Sequence, residues 1–200
     1  MDMAKVLILY WSLTGNTESV AEVIANAVKK NGHNCDLFKI KAGLDIDWFE
    51  YDIVLLGSPV YEFLPPENVM NYLKSKFHYY RDERKILKPS SPKLKHRFAL
   101  AFCTYGGPHT GIREALPAVK YVEQFFEHFG FFILEPILVV GSFRGDRLNG
   151  KFGYTKELCD KLNKLGRLGD ITDRPNQGDL TEVENKIIGV INAVTPVLKP

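Results

Sequence analysis

Four short apolar runs, separated by longer stretches with helical periodicity, set the pattern of this chain. Val6-Leu7-Ile8-Leu9-Tyr10, Ile53 to Gly57, Phe98 to Cys103 and Phe131 to Val140 hold almost no polar residue, the last being broken only by Glu135 and Pro136. Such runs read as strands buried on both faces. Cys35 to Ile40 alternates weakly and reads as an outer strand. Val20, Val23, Ile24, Ala27 and Val28 form a helical stripe that closes on Lys29, Lys30 and Gly32, residues suited to a helix C-terminus. Val69, Met70, Leu73 and Phe77 mark a second helix, and Leu116, Val119, Val122, Phe126 and Phe129 a third. Leu158, Leu162 and Leu165 before Gly166 give a short one. The last helix carries Leu180, Val183, Ile187, Val190, Ile191 and Val194, and Asp179 with Glu182 forms a capping-box-like pair at its start.

Buried strands alternating with helices predict an α/β fold, a parallel sheet with helices on both faces. Residues 1–200 read as one domain, with no internal repeat and no low-complexity tract. Two stretches exceed the minimal pattern. Residues 78 to 97 gather Arg81, Arg84, Lys85, Lys88, Lys93, Lys95 and Arg97 around Pro89 and Pro92, a solvated connection or a docking patch. Residues 142 to 178 are rich in Gly, Asp, Arg and Asn and predict a long surface excursion around the short helix.

Charge narrows the partners only slightly. With 26 basic and 24 acidic residues, the net charge of +2 gives no argument for nucleic acid and lacks the acidity of a carrier steered onto basic partners. Cys35, Cys103 and Cys159 are scattered, without a C-x-x-C, as in a reducing compartment. No apolar run reaches the ~20 residues of a membrane helix, so the expected location is cytoplasmic. No Cys/His cluster has metal-ligand spacing.

The most informative residues follow the first strand: Ser12-Leu13-Thr14-Gly15-Asn16-Thr17. A strand-to-helix turn aims free backbone N–H groups and a helix N-terminus at whatever sits there, which favours an anion. Ser12, Thr14, Asn16 and Thr17 add side-chain donors, and Gly15 permits a tight backbone. The loop has no Lys or Arg, so it predicts a monoester phosphate bound by neutral donors and the helix dipole, without a salt bridge. The motifs of a triphosphatase loop, a dinucleotide Rossmann turn, a cysteine phosphatase and a serine hydrolase elbow are all absent.

S-x-T-G-N-T after a first strand resembles the FMN-phosphate loop of flavodoxins, and the order of elements agrees along the whole chain. The resemblance implies a flavodoxin-like, doubly wound, five-stranded parallel sheet of order 2-1-3-4-5. The length and the tail Asp173-Arg174-Pro175-Asn176 look more like the NAD(P)H:quinone oxidoreductase and Trp-repressor-binding-protein branch than carrier flavodoxins. It further implies that the flavin ring lies along the next two carboxyl-end loops. In the first, Pro59, Val60, Tyr61 and Phe63 are candidates, with Tyr61 first choice and Phe63 second for covering the ring. In the second, Thr104, Tyr105, Gly106, Gly107 and Gly111 are candidates, the glycines because backbone can approach a flat ligand closely. His109 is the candidate proton donor, on its position and its titration near neutrality.

Three functions follow from these residues. The first is an FMN oxidoreductase passing electron pairs from NAD(P)H to a quinone or similar small acceptor. The second is an electron carrier between redox proteins, and the third a regulatory protein on the same fold without activity. A homo-oligomer is compatible with each. Carrier flavodoxins place a glycine in the first ring loop, where a peptide turns over. Ser58 to Pro66 has no glycine and three prolines, which predicts a stiff loop without positive φ and hence two-electron chemistry.

Overall fold

A computed structural model of the chain describes residues 3–86, 96–148 and 150–198. Its parallel sheet is built from β1 (Lys5–Tyr10), β2 (Asn34–Lys39), β3 (Ile53–Pro59), β4 (Phe98–Tyr105), β5 (Phe132–Ile133) and β6 (Ile137–Val140). The order is β2-β1-β3-β4, with β5 and β6 both paired to β4 on its outer side. Sequential β5 and β6 thus share the fifth position, and the order 2-1-3-4-5 holds. The predicted continuous run from Phe131 to Val140 is cut at Glu135–Pro136, where proline has no N–H to give the ladder.

The unbroken apolar runs bury alternate residues on opposite faces. Val6, Ile8, Ile53, Leu55, Leu100 and Phe102 meet α1 (Asn16–Lys30) and α6 (Gln177–Val194). Leu7, Leu9, Val54, Leu56, Ala99 and Ala101 meet α2 (Glu67–Asp82) and α3 (Leu116–His128). The two remaining helices, α4 (Gly145–Leu148) and α5 (Lys156–Leu165), lie within the predicted excursion. Gly57 is needed in β3 because a Cβ there would come within 2.0 Å of the Phe102 ring on β4.

Three local expectations change. The cap of α6 lies one turn earlier than predicted: Asn176 and Asp179 form the reciprocal capping box, so Asp179 is the third helical residue and not the cap. Pro59, Thr104 and Tyr105, expected in loops, are the closing residues of β3 and β4. The unassigned stretch after β2 holds Trp48, fully buried in a 3₁₀ turn, Trp48–Glu50, between α2 and α3. Of the basic segment, Lys88, Pro89, Pro92, Lys93 and Lys95 lie outside the described residues. Among its described members, Arg84 pairs with Asp47, and Arg97 donates to the Tyr51 carbonyl.

Candidate functional site

β1, β3 and β4 all deliver their carboxyl ends to one end of the sheet, and the three predicted loops meet there. α1 begins at Asn16 behind Gly15, whose φ of 99° opens the turn. The Gly15 N–H bonds to Ser12 Oγ at 3.0 Å, so Ser12 shapes the loop while its own proton remains to be donated. The backbone N–H groups of Thr14, Asn16 and Thr17 meet no acceptor among the described residues, as expected for a helix start. Thr17 is buried, and its hydroxyl shares a 2.8 Å hydrogen bond with that of Thr104.

A cleft of about 50 Å³ opens beside this loop. Of the predicted residues, Thr14, Asn16, Pro59, Val60, Tyr61, Thr104, Tyr105 and Gly106 line it. Leu13, Gly15 and Thr17 shape the loop without lining the cleft. Tyr61 meets Trp11 edge-on at 6.2 Å. Burial, with a smaller contribution from Tyr154, pushes its hydroxyl up to about 12, so it stays protonated at any physiological pH. Burial likewise holds the neighbouring Cys103 thiol up at about 12, so no thiolate forms there.

The first ring loop departs from expectation. Tyr61 and Leu64 exchange two backbone hydrogen bonds, and between them Glu62 and Phe63 take φ of 47° and 72°. Positive φ at both central residues is the signature of a type I′ turn, ordinarily filled by Asn-Gly. The expected avoidance of positive φ does not hold: the turn adopts left-handed backbone despite lacking glycine, held by its closing bonds. Phe63 does not cover the cleft; it sits at the turn tip, 55% exposed. Phe63→Gly should raise stability by about 1 kcal/mol, since a left-handed L-residue costs about that much. An unchanged urea midpoint would show that the turn carries no strain.

The second ring loop turns at Gly107 and Gly111, with φ of 49° and 68°. A Cβ on Gly107 would lie 2.7 Å from the Gly111 carbonyl oxygen. Glu114 accepts from the N–H groups of His109 and Thr110 at 2.8 and 2.6 Å and fixes the loop. His109 itself is exposed and does not line the cleft, and neither Gly107 nor Gly111 does.

Sequence reading missed the residues that close the site. Gly141, Ser142, Phe143, Arg144, Leu148 and Tyr154 come from the excursion after β6 and form the far wall. Asn16 anchors that segment by donating from Nδ2 to the Ser142 carbonyl at 2.8 Å. Phe143 stacks on Tyr154 with ring centres 5.6 Å apart. It also lies where a Cβ on Gly106 would come 2.2 Å from its ring. Two aromatics in a Gly- and Arg-rich stretch were the available signal. From α4, Arg147 reaches the first loop and donates to the Thr14 carbonyl at 2.6 Å. The charge-free phosphate loop predicted from residues 12–17 is thus supplied with a cation from elsewhere in the chain.

A parallel sheet whose first strand leads through a donor-rich turn into a helix, with two aromatic-bearing loops beside it, is a doubly wound α/β arrangement with an exposed helix start at its carboxyl end. The flavodoxin domain model matches residues 7–128, more than half of the chain, and the chain belongs to that family. Oxidised flavodoxin 1 from Bacillus cereus superposes with a TM-score of 0.62 at 14% identity, covering 94% of this chain and 98% of that one. A WrbA-like flavodoxin from Agrobacterium tumefaciens gives 0.60 at 14% identity, over 97% and 99% of the two chains. Rubredoxin oxygen:oxidoreductase from Desulfovibrio gigas gives 0.59 at 16% identity over 98% of this chain, which spans only 37% of that protein. The family implies a flavin cofactor and redox chemistry. No helix among the described residues is long and apolar enough to cross a membrane.

Proposed function

We propose that the chain is an FMN-dependent oxidoreductase that passes electron pairs from NAD(P)H to a quinone or similar small acceptor. The observation that carries this reading is the meeting, at one end of the sheet, of the unsatisfied α1 N-terminus with the Tyr61 and Tyr105 loops. The phosphate end fits FMN. Free N–H groups face it, and Asn16 is 7% exposed with its Oδ1 buried and unpartnered, an acceptor suited to a ribityl hydroxyl. The ring end is narrower. About 50 Å³ is well below the roughly 300 Å³ at which small-molecule pockets begin. Phe143 on Gly106 is the side chain in the way.

When bound, FMN supplies the capacity to accept and redeliver a hydride equivalent. This chain's residues do the rest. Thr14, Asn16 and Thr17 present backbone donors to the phosphate. Tyr61 and Tyr105 flank the ring position, and the Tyr61 hydroxyl remains a hydrogen-bond donor. Gly106 leaves room for the Phe143 ring, which with Tyr154 walls the cleft on that side. His109 lies outside the cleft and is not assigned a contact with the ring.

Phe143→Ala should raise the FMN association rate severalfold in stopped-flow fluorescence, because the ring position then needs no side-chain displacement. An unchanged rate would mean that the ring enters without moving Phe143.

A second reading, an electron carrier between proteins, gains from the Glu62–Phe63 turn, whose left-handed backbone and exposed Phe63 and Leu64 suit a docking rim. Anaerobic addition of NADPH to FMN-loaded protein separates the two. Bleaching of the flavin band, followed by its return on adding a quinone, supports the oxidoreductase. Reduction by dithionite alone rejects it in favour of the carrier.

A further inference from the structure

The cation over the first loop comes from an unexpected place. Arg147 lies in α4, after the irregular stretch that follows β6, yet its Nη1 sits 2.6 Å from the Thr14 carbonyl and would lie 2.6 Å from a Cβ on Gly15. A guanidinium has five N–H donors in a planar fork. Among the described residues only one is spent, on Thr14, and the others remain beside the start of α1. Arg144, one helical turn before, lines both the ring cleft and a polar cleft that it shares with Arg147. Neither arginine has a carboxylate within ion-pair distance among the described residues, although Asp146 lies between them in the chain. Burial, and to a lesser extent Arg147, push the Arg144 guanidinium below its ordinary range, with Asp146 opposing. Asn16, the first residue of α1, lines the ring cleft with Arg144.

We infer that α4 and the residue before it supply the cationic half of the phosphate site: Arg147 closes on the phosphate opposite the α1 N-terminus, and Arg144 stands behind it as a second positive charge. The inference rests on the FMN reading above and adds a residue that the loop motif does not contain. It also gives the excursion a role, because the segment that carries Arg147 carries Phe143 too.

The test is calorimetric titration of FMN, riboflavin and inorganic phosphate into wild type, Arg147→Gln and Arg147→Lys. Arg147→Gln should weaken FMN about 10- to 100-fold, as losing a charge-assisted contact does. Riboflavin should stay within about twofold, Arg147→Lys should recover part of the loss, and the salt dependence of FMN binding should flatten in Arg147→Gln. Inorganic phosphate should bind wild type and be weakened in the same variant. Unchanged FMN binding in Arg147→Gln overturns the inference, as does an equal loss for riboflavin. If wild type binds neither flavin, the FMN reading fails by itself. Arg147 is then judged on the phosphate titrations, where equal binding to wild type and Arg147→Gln rejects it.

Discussion

Replacing Thr14 by aspartate should lower FMN affinity about 100-fold, on the scale of ~3 kcal/mol for two unit charges ~5 Å apart at an effective dielectric of ~20. Riboflavin, which lacks the phosphate, should change by less than about threefold. Two effects add. A carboxylate at position 14 faces the phosphate, and it offers Arg147, now bound to the Thr14 carbonyl, a competing partner. Thr14 is the better probe than Thr17, whose hydroxyl is buried against that of Thr104. Thr17→Val would strand the Thr104 hydroxyl and mix a folding defect with a binding one. Parallel titrations of the two flavins decide the matter. Equal losses would move the phosphate away from this loop.

The largest loss of stability should come from a residue far from the cofactor. Trp48→Ala is expected to cost about 3–5 kcal/mol, out of a total that is ordinarily about 5–15. Trp48 is fully buried, with Phe126, Tyr80, Phe129 and Tyr72 rings centred 5.0 to 6.2 Å away. Its indole N–H donates to the Tyr72 hydroxyl at 3.2 Å, and its backbone N–H donates to Tyr80 at 2.7 Å. Truncation leaves a cavity and an unpaired Tyr72 hydroxyl in the same layer. Urea unfolding should show a lower midpoint at unchanged slope. A loss below about 1 kcal/mol would mean that α2 and α3 close over the gap.

Most of the architecture could be read from the chain because parallel strands buried on both faces announce themselves as apolar runs, and helices as stripes. Val6 to Tyr10 and Phe98 to Cys103 are of this kind. Trp48 escaped because a 3₁₀ turn has no periodicity to betray it. The α6 cap slipped by one turn because Asn176 and Asp179 cap as a reciprocal pair, and either end of such a pair resembles a cap in isolation. At the site, residues contiguous with a strand end were legible: Thr14, Asn16, Tyr61, Tyr105 and Gly106 all line the cleft. Phe143, Tyr154 and Arg147 were not, since a long excursion returns to the site only through tertiary packing. The backbone of Glu62 and Phe63 was misread for a related reason. Residue preference disfavours positive φ there, and the two hydrogen bonds between Tyr61 and Leu64 override it.

The split fifth strand bears on how the molecule behaves when crowded. A parallel sheet ends in two rows of unpaired peptide groups, and an uninterrupted row is a template on which another chain can add. Here the outer row beyond β4 is divided into pieces of two and four residues. Between them Pro136 has no donor to offer, and its carbonyl is already taken by Lys186 of α6 at 3.1 Å. Glu135 stands at the same break with a charge that an incoming strand would have to desolvate. An intruding strand would therefore find a few hydrogen bonds, then a gap, then a carboxylate. The kink that shortens the ladder also makes this border of the sheet a poor seed for fibrils.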